Sequence, residues 1–226
     1  MSDQPAPAPR RQRADQDRAL ANRINQYRTA LIAAQGNAEL IELLAGRGYD
    51  AAALAAGLAL CEAAQTAFTA RQQAMAAQSE AAIASRAADE AARSGFDDFR
   101  KIARALFKTN PAARQSLGVD GRPPDDREQF LTAASAAYSA ALADNTLLTA
   151  LARRGYPQAA LEAEQGKLAA LTTASAAHDR AQDAAKRATA TRDSAAKALT
   201  GWWLEFQAVA KVALKNRSDL WGQLGL

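Results

Sequence analysis

Cysteine and histidine each occur only once in this sequence of 226 residues. The lone Cys61 excludes an intramolecular disulfide framework and any zinc motif built on paired cysteines. The lone His178 excludes the HExxH pattern, and Ser175 three residues before it excludes the usual Glu-x-x-His pairs of a di-iron helical bundle. Phosphate-binding glycine loops are also missing. We therefore expect no enzymatic activity, no metal and no other cofactor.

Long uncharged apolar runs and an N-terminal leader pattern are missing as well. No 18-residue apolar run lacks charges, so no transmembrane segment is expected. The opening residues do not combine basic residues with an apolar run, so no secretory signal is expected. Cys61 falls on the apolar face of a predicted helix, where a free thiol behaves as a small hydrophobe. These observations favour a cytoplasmic protein.

The seven prolines are confined to a few places in the sequence. Three prolines lie within residues 5–9, and Arg10, Arg11 and Arg13 follow them. Alternating proline opposes a helix, so residues 1–13 are predicted to be a disordered Pro/Ala/Arg arm. Such an arm could contact nucleic acid or an anionic surface, although a solvated tail is the favoured interpretation.

Alanine dominates what is present, at about 62 residues, whereas aromatic residues make up 6% of the chain. Most of the other common residues are strong helix formers too. Because alanine buries little area, the composition predicts slender helices that pack closely. The net charge of +4 is modest.

An internal similarity organises the rest of the sequence. Residues 44–119 align with residues 151–226 at a constant shift of 107, without a gap. Two groups of residues carry the match. One is the turn Arg47, Gly48 and Tyr49, which aligns with Arg154, Gly155 and Tyr156; the other is Phe96, Phe99 and Arg104, which align with Trp203, Phe206 and Lys211. We interpret the chain as one helical hairpin used twice, and call residues 14–120 the first copy and residues 121–226 the second copy.

Each copy is predicted to hold two long helices and a short aromatic one. In the first copy the first helix covers about 14–45, with Gly36-Asn37 as a possible kink, and the second begins at Asp50. In the second copy Asp125 and Glu128 form a capping box that opens the first helix, which runs to about residue 153. Breaks at Ser94-Gly95 and Thr200-Gly201 precede the aromatic helices.

Two hairpins in series predict an all-α, up-down-up-down four-helix bundle that forms a single domain. Both Arg-Gly-Tyr turns are then expected at one end of the bundle. Arg47 and Arg154 could there hold an anionic ligand, but a capping role for the glycines and a packing role for the tyrosines are favoured.

Isolated polar residues offer little catalytic promise. His178 aligns with Arg71, so it is interpreted as a polar residue at the bundle surface or seam. Asp98 aligns with Glu205, and a role near a helix start is favoured over acid–base chemistry.

The aromatic segments are the candidate interaction surface, with a role as caps of the bundle core as the alternative. The residues of this surface are Phe96, Phe99, Arg104, Trp202, Trp203, Phe206, Lys211 and Trp221.

Three functions follow as hypotheses. The first is a non-enzymatic scaffold or protein-interaction module that associates with itself, because the thin alanine seam would gain from further helices. The second is a carrier of a small apolar ligand between the helices. The third, contact with nucleic acid or an anionic membrane through the basic arm, is not favoured.

Overall fold

The computed structural model describes residues 9–225, and the side chains of residue 15 and residues 17–225. Every regular element in this part of the chain is helical, so the prediction of an all-α protein is confirmed. Its helices are α1 (Pro9–Gly36), α2 (Ala38–Ala45), α3 (Ala51–Leu106), α4 (Pro111–Ser116), α5 (Arg127–Ala143), α6 (Asn145–Ala152), α7 (Gln158–Ala213), a 3₁₀ turn (Ser218–Leu220) and α8 (Trp221–Leu224).

The N-terminal arm was predicted to be disordered over residues 1–13. Residues 1–8 lie outside the described residues, and α1 already begins at Pro9. The prediction is therefore wrong for residues 9–13. Pro9 is at the first position of the helix, where its fixed φ and missing N–H are tolerated.

Polar side chains start the helices at several predicted points. Asp50 accepts a hydrogen bond from the Ala53 N–H at 2.8 Å, as expected for the start of α3. Asn37 caps α2 by accepting from the N–H groups of Glu39 and Leu40, so the expected kink is a full break. The cap of α5 is Asp126, which accepts from the Gln129 N–H, one residue later than the predicted Asp125.

The first helix of the second copy is also interrupted, which the sequence analysis missed. Asp144 accepts hydrogen bonds from the N–H groups of Thr146 and Leu147 and opens α6. A side-chain carboxylate that competes for backbone N–H groups makes such a break stable.

The predicted breaks at Ser94-Gly95 and Thr200-Gly201 are wrong. Both α3 and α7 continue through them, to Leu106 and Ala213, so the aromatic segments are the ends of long helices and not separate short ones. One glycine inside a helix costs only about 1 kcal/mol relative to alanine, which the neighbouring turns outweigh.

Helix bounds repeat with the same spacing as the sequence match. The eight-residue helices α2 and α6 begin 107 residues apart, at residues 38 and 145. The 56-residue helices α3 and α7 begin 107 residues apart as well, at residues 51 and 158. The glycines of the two turns, Gly48 and Gly155, have left-handed φ values of 87° and 90°. Glycine adopts this conformation without steric cost, as predicted for both turns.

The chain divides into two compact units, and the boundaries fall inside α3 and α7. Unit 1 takes the residues up to Met75 and those from Ala184, and unit 2 takes Ala76–Asp183. Each unit therefore draws on both copies. Three long helical segments make up each unit, and a single four-helix bundle is not confirmed.

Unit 1 packs α1, α2, the first part of α3, the last part of α7 and the C-terminal turns around one apolar core. Gly57 of α3 faces Trp202 of α7, and Asp17 of α1 bridges Arg71 of α3 and Arg192 of α7. These pairs show that α3 and α7 run antiparallel in unit 1. Its largest fully buried side chains include Ile24, Leu31, Leu40, Leu44, Leu54 and Phe206.

Unit 2 packs the last part of α3, α4, α5, α6 and the first part of α7 around a second core. Gly95 of α3 faces Glu164 of α7, and Phe99 meets Tyr156 just before α7, so the two helices are antiparallel here too. Its largest fully buried side chains are Tyr138, Phe96, Phe99, Phe130 and Leu117.

Replacement of Gly57 by alanine tests the tightest contact in unit 1. A β-carbon at residue 57 would lie 2.7 Å or less from three carbon atoms of the Trp202 ring, which is far inside the van der Waals limit. We expect Gly57→Ala to lower the free energy of unfolding, measured by urea titration, by about 1–3 kcal/mol because of this overpacking.

Gly166→Ala is the matched control, because a β-carbon there meets no atom within 4 Å. It should raise the free energy of unfolding by about 0.5–1 kcal/mol through helix propensity. Equal effects of the two substitutions would contradict the packing of Trp202 on Gly57.

Candidate functional site

The two Arg-Gly-Tyr turns belong to different units. Tyr49 lies in unit 1 and Tyr156 in unit 2, so the structure does not bring the two turns together within one unit, and the predicted shared end of a single bundle is not confirmed. The physical reason is aromatic packing, because each turn tyrosine packs against the aromatic segment of the other copy. The Arg47 and Arg154 guanidiniums therefore do not form a joint anion site within either unit.

Tyr49 packs edge-on against Trp202 and Phe206, with ring centroids 5.7 and 5.2 Å apart. Tyr156 packs edge-on against Phe99 at 5.5 Å. Phe99 and Phe206 are aligned positions, so the two tyrosine contacts are equivalent. Edge-to-face pairs add about 0.5–1.5 kcal/mol beyond the area that they bury. Both turn tyrosines thus pack against the core of their own unit, and a structural role of the turns stays a prediction that these contacts favour.

Acidic residues accompany both tyrosines. Burial raises the pKa of Tyr49, and Glu205, which accepts a hydrogen bond from the tyrosine hydroxyl, raises it further. Burial also raises the pKa of Tyr156, with smaller contributions from Glu164 and Asp98. Asp98 and Glu205 lie deep inside α3 and α7, so the interpretation that they mark helix starts is wrong.

Four of the eight residues of the predicted aromatic surface belong to the cores of the two units. Phe96, Phe99, Trp203 and Phe206 are at most 2% exposed, because they face the helices of their own unit. Trp203 stacks on Tyr27 with ring centroids 4.1 Å apart. The alternative, that the aromatic segments cap the core, therefore holds for these four residues.

The other predicted surface residues have different environments. Trp202 and Trp221 are half-buried, and the Trp221 indole N–H donates to the Leu214 carbonyl at 3.1 Å. Arg104 donates to the Val119 and Gly121 carbonyls, whereas Lys211 is exposed. Only Lys211 is thus freely available for a contact among them.

Arginines of α3 hold the proline-rich linker in unit 2. Arg100, only 5% exposed, donates to the carbonyls of Val119 and Gly121 together with Arg104. Arg93 donates to the Pro124 carbonyl at 3.1 Å and lies over the Phe130 ring. Charge-assisted bonds to carbonyls explain why this linker has a fixed path. This role of the arginines could not be predicted, since nothing local in the sequence connects them with the linker.

A buried polar group accompanies Gly95 in unit 2. The Glu164 carboxylate lies so close to Gly95 that a β-carbon there would overlap it, and it accepts a hydrogen bond from Lys167 at 2.7 Å. The Tyr138 hydroxyl is fully buried and has no hydrogen-bond partner among the described residues. Burial strongly raises the pKa of Tyr138, and the charge of Glu164 adds to the effect. We assign this buried polar group a structural role.

The lone histidine and cysteine are not part of a cluster. His178 is partly exposed, and its Nδ1 lies 3.8 Å from the Oδ1 of Asp179. Cys61 is buried in the core of unit 1, and burial raises the pKa of its thiol. Among the described residues, no three His, Cys, Asp or Glu side chains are placed to hold a metal ion.

Among the described side chains, five large apolar ones are exposed: Ile32, Met75, Ile83, Leu204 and Val212. Leu204 and Val212, 60% and 57% exposed, lie eight residues apart on α7 with the exposed Ala208 between them. This spacing places the three side chains in one row on the helix. We call Leu204, Ala208 and Val212 the α7 stripe.

Aligned positions in unit 2 provide an internal comparison for the α7 stripe. Asp97, Lys101 and Ala105 occupy them, and all three are exposed. The fold therefore accepts charged residues at the first two of these positions. The apolar character of the α7 stripe is not required by the packing of its helix, and this makes the stripe the best candidate contact surface.

Helix α3 contains one 18-residue window with a mean hydropathy of 1.4, which is apolar enough to cross a membrane by length and composition. A third of that window is buried in the structure. Core helices meet the same criterion, and buried Leu54, Cys61 and Phe68 of α3 belong to the core of unit 1. The expected absence of a transmembrane segment stays a prediction.

No protein-family model, no curated protein sequence and no solved structure matches this chain.

Tyr138→Phe tests the buried hydroxyl of unit 2. A raised pKa in the folded protein keeps Tyr138 neutral at a pH where the unfolded chain ionises, so its contribution to stability is complete below pH 10 and is lost as the pH rises. At pH 7 the variant should be as stable as the parent or more stable, because an unpaired buried hydroxyl is removed.

Between pH 10 and 11 the parent should lose about 1 kcal/mol more unfolding free energy than Tyr138→Phe, since each unit of pKa shift corresponds to about 1.4 kcal/mol. Urea titrations at each pH measure the difference. Parallel pH profiles of the unfolding free energy for the two proteins would contradict a raised pKa of Tyr138 in the folded state.

Proposed function

We propose that this protein is a non-enzymatic helical scaffold that binds protein partners and associates with itself, and that it acts in the cytoplasm. The observation that carries the proposal is the α7 stripe, an exposed apolar row on a helix whose other face is packed in the core of unit 1. Contiguous exposed apolar residues mark contact sites in proteins. The exposure of Leu204 and Val212 to water is unfavourable, so a partner that covers them would gain from the contact.

We also propose that the scaffold arose from two tandem copies of one helical hairpin. Support comes from the equal lengths and constant spacing of α2 with α6 and α3 with α7. The equivalent contacts of Tyr49 with Phe206 and of Tyr156 with Phe99 support it further. In this proposal the up-down-up-down order of the hairpins is kept along the chain, while each aromatic segment packs on the other copy.

Divergence between the copies favours a contact role for one unit. In unit 1 the exposed row on α7 is apolar, whereas the aligned row of unit 2 is charged at Asp97 and Lys101. The tyrosine contacts of the two units stayed equivalent while this exposed row diverged, which supports a contact role for the α7 stripe.

A small apolar ligand is the second candidate. The observation that favours it is a surface cleft of about 370 Å³ in unit 2, lined by Ile102, Ala105, Leu106 and Arg154. An apolar floor beside a guanidinium suits a ligand with an apolar body and an anionic group. This site differs from the predicted one between the helices, because the clefts described in unit 2 lie at its surface. Nucleic-acid or membrane contact through residues 1–13 stays a prediction without a supporting contact.

Sedimentation velocity over a range of protein concentrations tests self-association. Because a single helical row buries little area, we expect weak, reversible association that becomes visible between about 10 μM and about 1 mM. The weight-average sedimentation coefficient should rise with concentration and fall again on dilution. A 23.8 kDa monomer at every concentration would contradict the self-association.

A further inference from the structure

The likeness of the two copies gives each long helix a choice of pairing partners. Tyr49 packs on Phe206 in unit 1, and Tyr156 packs on Phe99, the residue aligned with Phe206, in unit 2. The same contact could therefore form if α3 paired with α3 of a second molecule, or α7 with α7. Exchange of equivalent elements between molecules is a low-cost route to dimers. The tyrosine contacts thus do not explain why α3 pairs with α7.

Residue size at the contact of α3 with α7 differs in the same direction in both units. In unit 1 a β-carbon on Gly57 of α3 would come within 2.7 Å of the Trp202 ring of α7. In unit 2 a β-carbon on Gly95 of α3 would lie 2.9 Å from Cδ of Glu164 of α7. Gly57 aligns with Glu164, and Gly95 aligns with Trp202. At both contacts, which we call the glycine contacts, α3 leaves a space and α7 fills it.

Neighbouring side chains hold the two large residues in these spaces. Trp202 stacks on Phe206 with ring centroids 5.3 Å apart, and Tyr49 packs against it edge-on at 5.7 Å. Glu164 accepts a hydrogen bond from Nζ of Lys167 at 2.7 Å. Each space on α3 therefore has one defined occupant.

A second difference in size lies one helical turn from each glycine contact. Cys61 of α3 and Leu199 of α7 lie at this level in unit 1, and both belong to its core. Ala92 of α3 and Leu168 of α7 lie at this level in unit 2, and both belong to its core. Cys61 aligns with Leu168, and Ala92 aligns with Leu199. The first copy thus has the smaller residue at these aligned positions as well.

We infer that this difference in size makes the α3 surface a recognition site for α7 of the second copy, a site that excludes a second α3. In a pairing of α3 with α3, Gly57 would face Gly95 and the space would stay empty, which is costly in a core. In a pairing of α7 with α7, Glu164 would face Trp202, and two large side chains would compete for one space. Discrimination between similar partners requires such unfavourable wrong pairs. This recognition is independent of the α7 stripe and goes beyond the proposed function.

Two variants of the full chain that place the same tryptophan–glycine pair in unit 2 test the inference. Glu164→Trp leaves the glycine on α3, so pairings of like helices stay unfavourable. Gly95→Trp combined with Glu164→Gly moves the tryptophan to α3. Every pairing, of like or unlike helices, then joins a tryptophan with a glycine. The two variants differ only in the direction of the pair, so the first is the matched control for the second.

Refolding from urea, followed by size-exclusion chromatography with light scattering, measures the exchange of copies between molecules. The parent and Glu164→Trp should refold to monomers. The reversed variant should yield a share of dimers and larger species about tenfold higher or more, since filling a core cavity shifts an equilibrium by at least that factor. Ala92→Leu with Leu168→Ala, added to the reversed variant, should raise this share further. Exchanged species persist on dilution, whereas the proposed weak self-association reverses.

Reversal of the pair in unit 1 provides an independent arm without a change in composition. Gly57→Trp with Trp202→Gly also lets every pairing join a large residue with a glycine, so it should promote exchange as well. Circular dichroism checks the helix content of each variant. Failure of both reversed variants to fold would contradict the inference, because the reversed pairs have to fill the same space.

The remaining outcomes separate this recognition from the proposed function. Equal shares of exchanged dimers in Glu164→Trp and in the reversed variants would overturn the recognition site on α3. Parent dimers that form on refolding and persist on dilution would overturn it too. A parent that stays monomeric at every concentration would support the recognition site, although it would contradict the proposed self-association.

Discussion

The packing of each turn tyrosine against the aromatic end of a helix from the other copy is the constraint on which the two units depend. Tyr49 meets Phe206 in unit 1, and Tyr156 meets Phe99 in unit 2. The tyrosine of each copy does not pack against the aromatic segment of the same copy, because the two lie in different units. The compact units are therefore shared between the copies, although each copy is continuous in sequence.

Other long-range contacts in each unit join α3 with α7, and in each of them a glycine of α3 makes room for a larger side chain of α7. Trp202 requires the small Gly57 opposite it, and Glu164 lies against Gly95. The two pairs occupy aligned positions, since Gly57 aligns with Glu164 and Gly95 with Trp202. In both units α3 supplies the glycine and α7 the larger side chain. Different large residues at equivalent places would be a natural result of divergence after the proposed duplication.

Local features of the fold could be predicted because they depend on neighbouring residues. The glycine turns, the start of α3 at Asp50 and the helical character of the chain were of this kind. The continuation of α3 through Gly95 was missed, because a single glycine weakens a helix by less than its packing strengthens it. The caps at Asp126 and Asp144 were displaced or missed, since several nearby acids could serve equally well.

Contacts between distant residues could not be predicted in the same way. The assignment of both turns to one end assumed that each hairpin packs as a closed unit, and nothing in the local sequence of Tyr49 identifies Phe206 as its partner. The α7 stripe was missed for a related reason. Leu204 and Val212 look like core residues in the sequence, and only their exposure of 60% and 57% separates them from buried Trp203 and Phe206. The aligned residues Asp97 and Lys101 are exposed as well, which shows that the fold accepts charged residues at these positions and does not require apolar ones.

Expression of residues 1–120 and 121–226 as separate chains tests the sharing of units between copies most directly. Because each unit needs helices from both chains, each fragment alone should show little cooperative unfolding by circular dichroism. An equimolar mixture should regain helix content and shift the tryptophan emission to shorter wavelength as Trp203 packs on Tyr27. Two fragments that each fold cooperatively on their own, with no change on mixing, would contradict the sharing of each unit between the two copies.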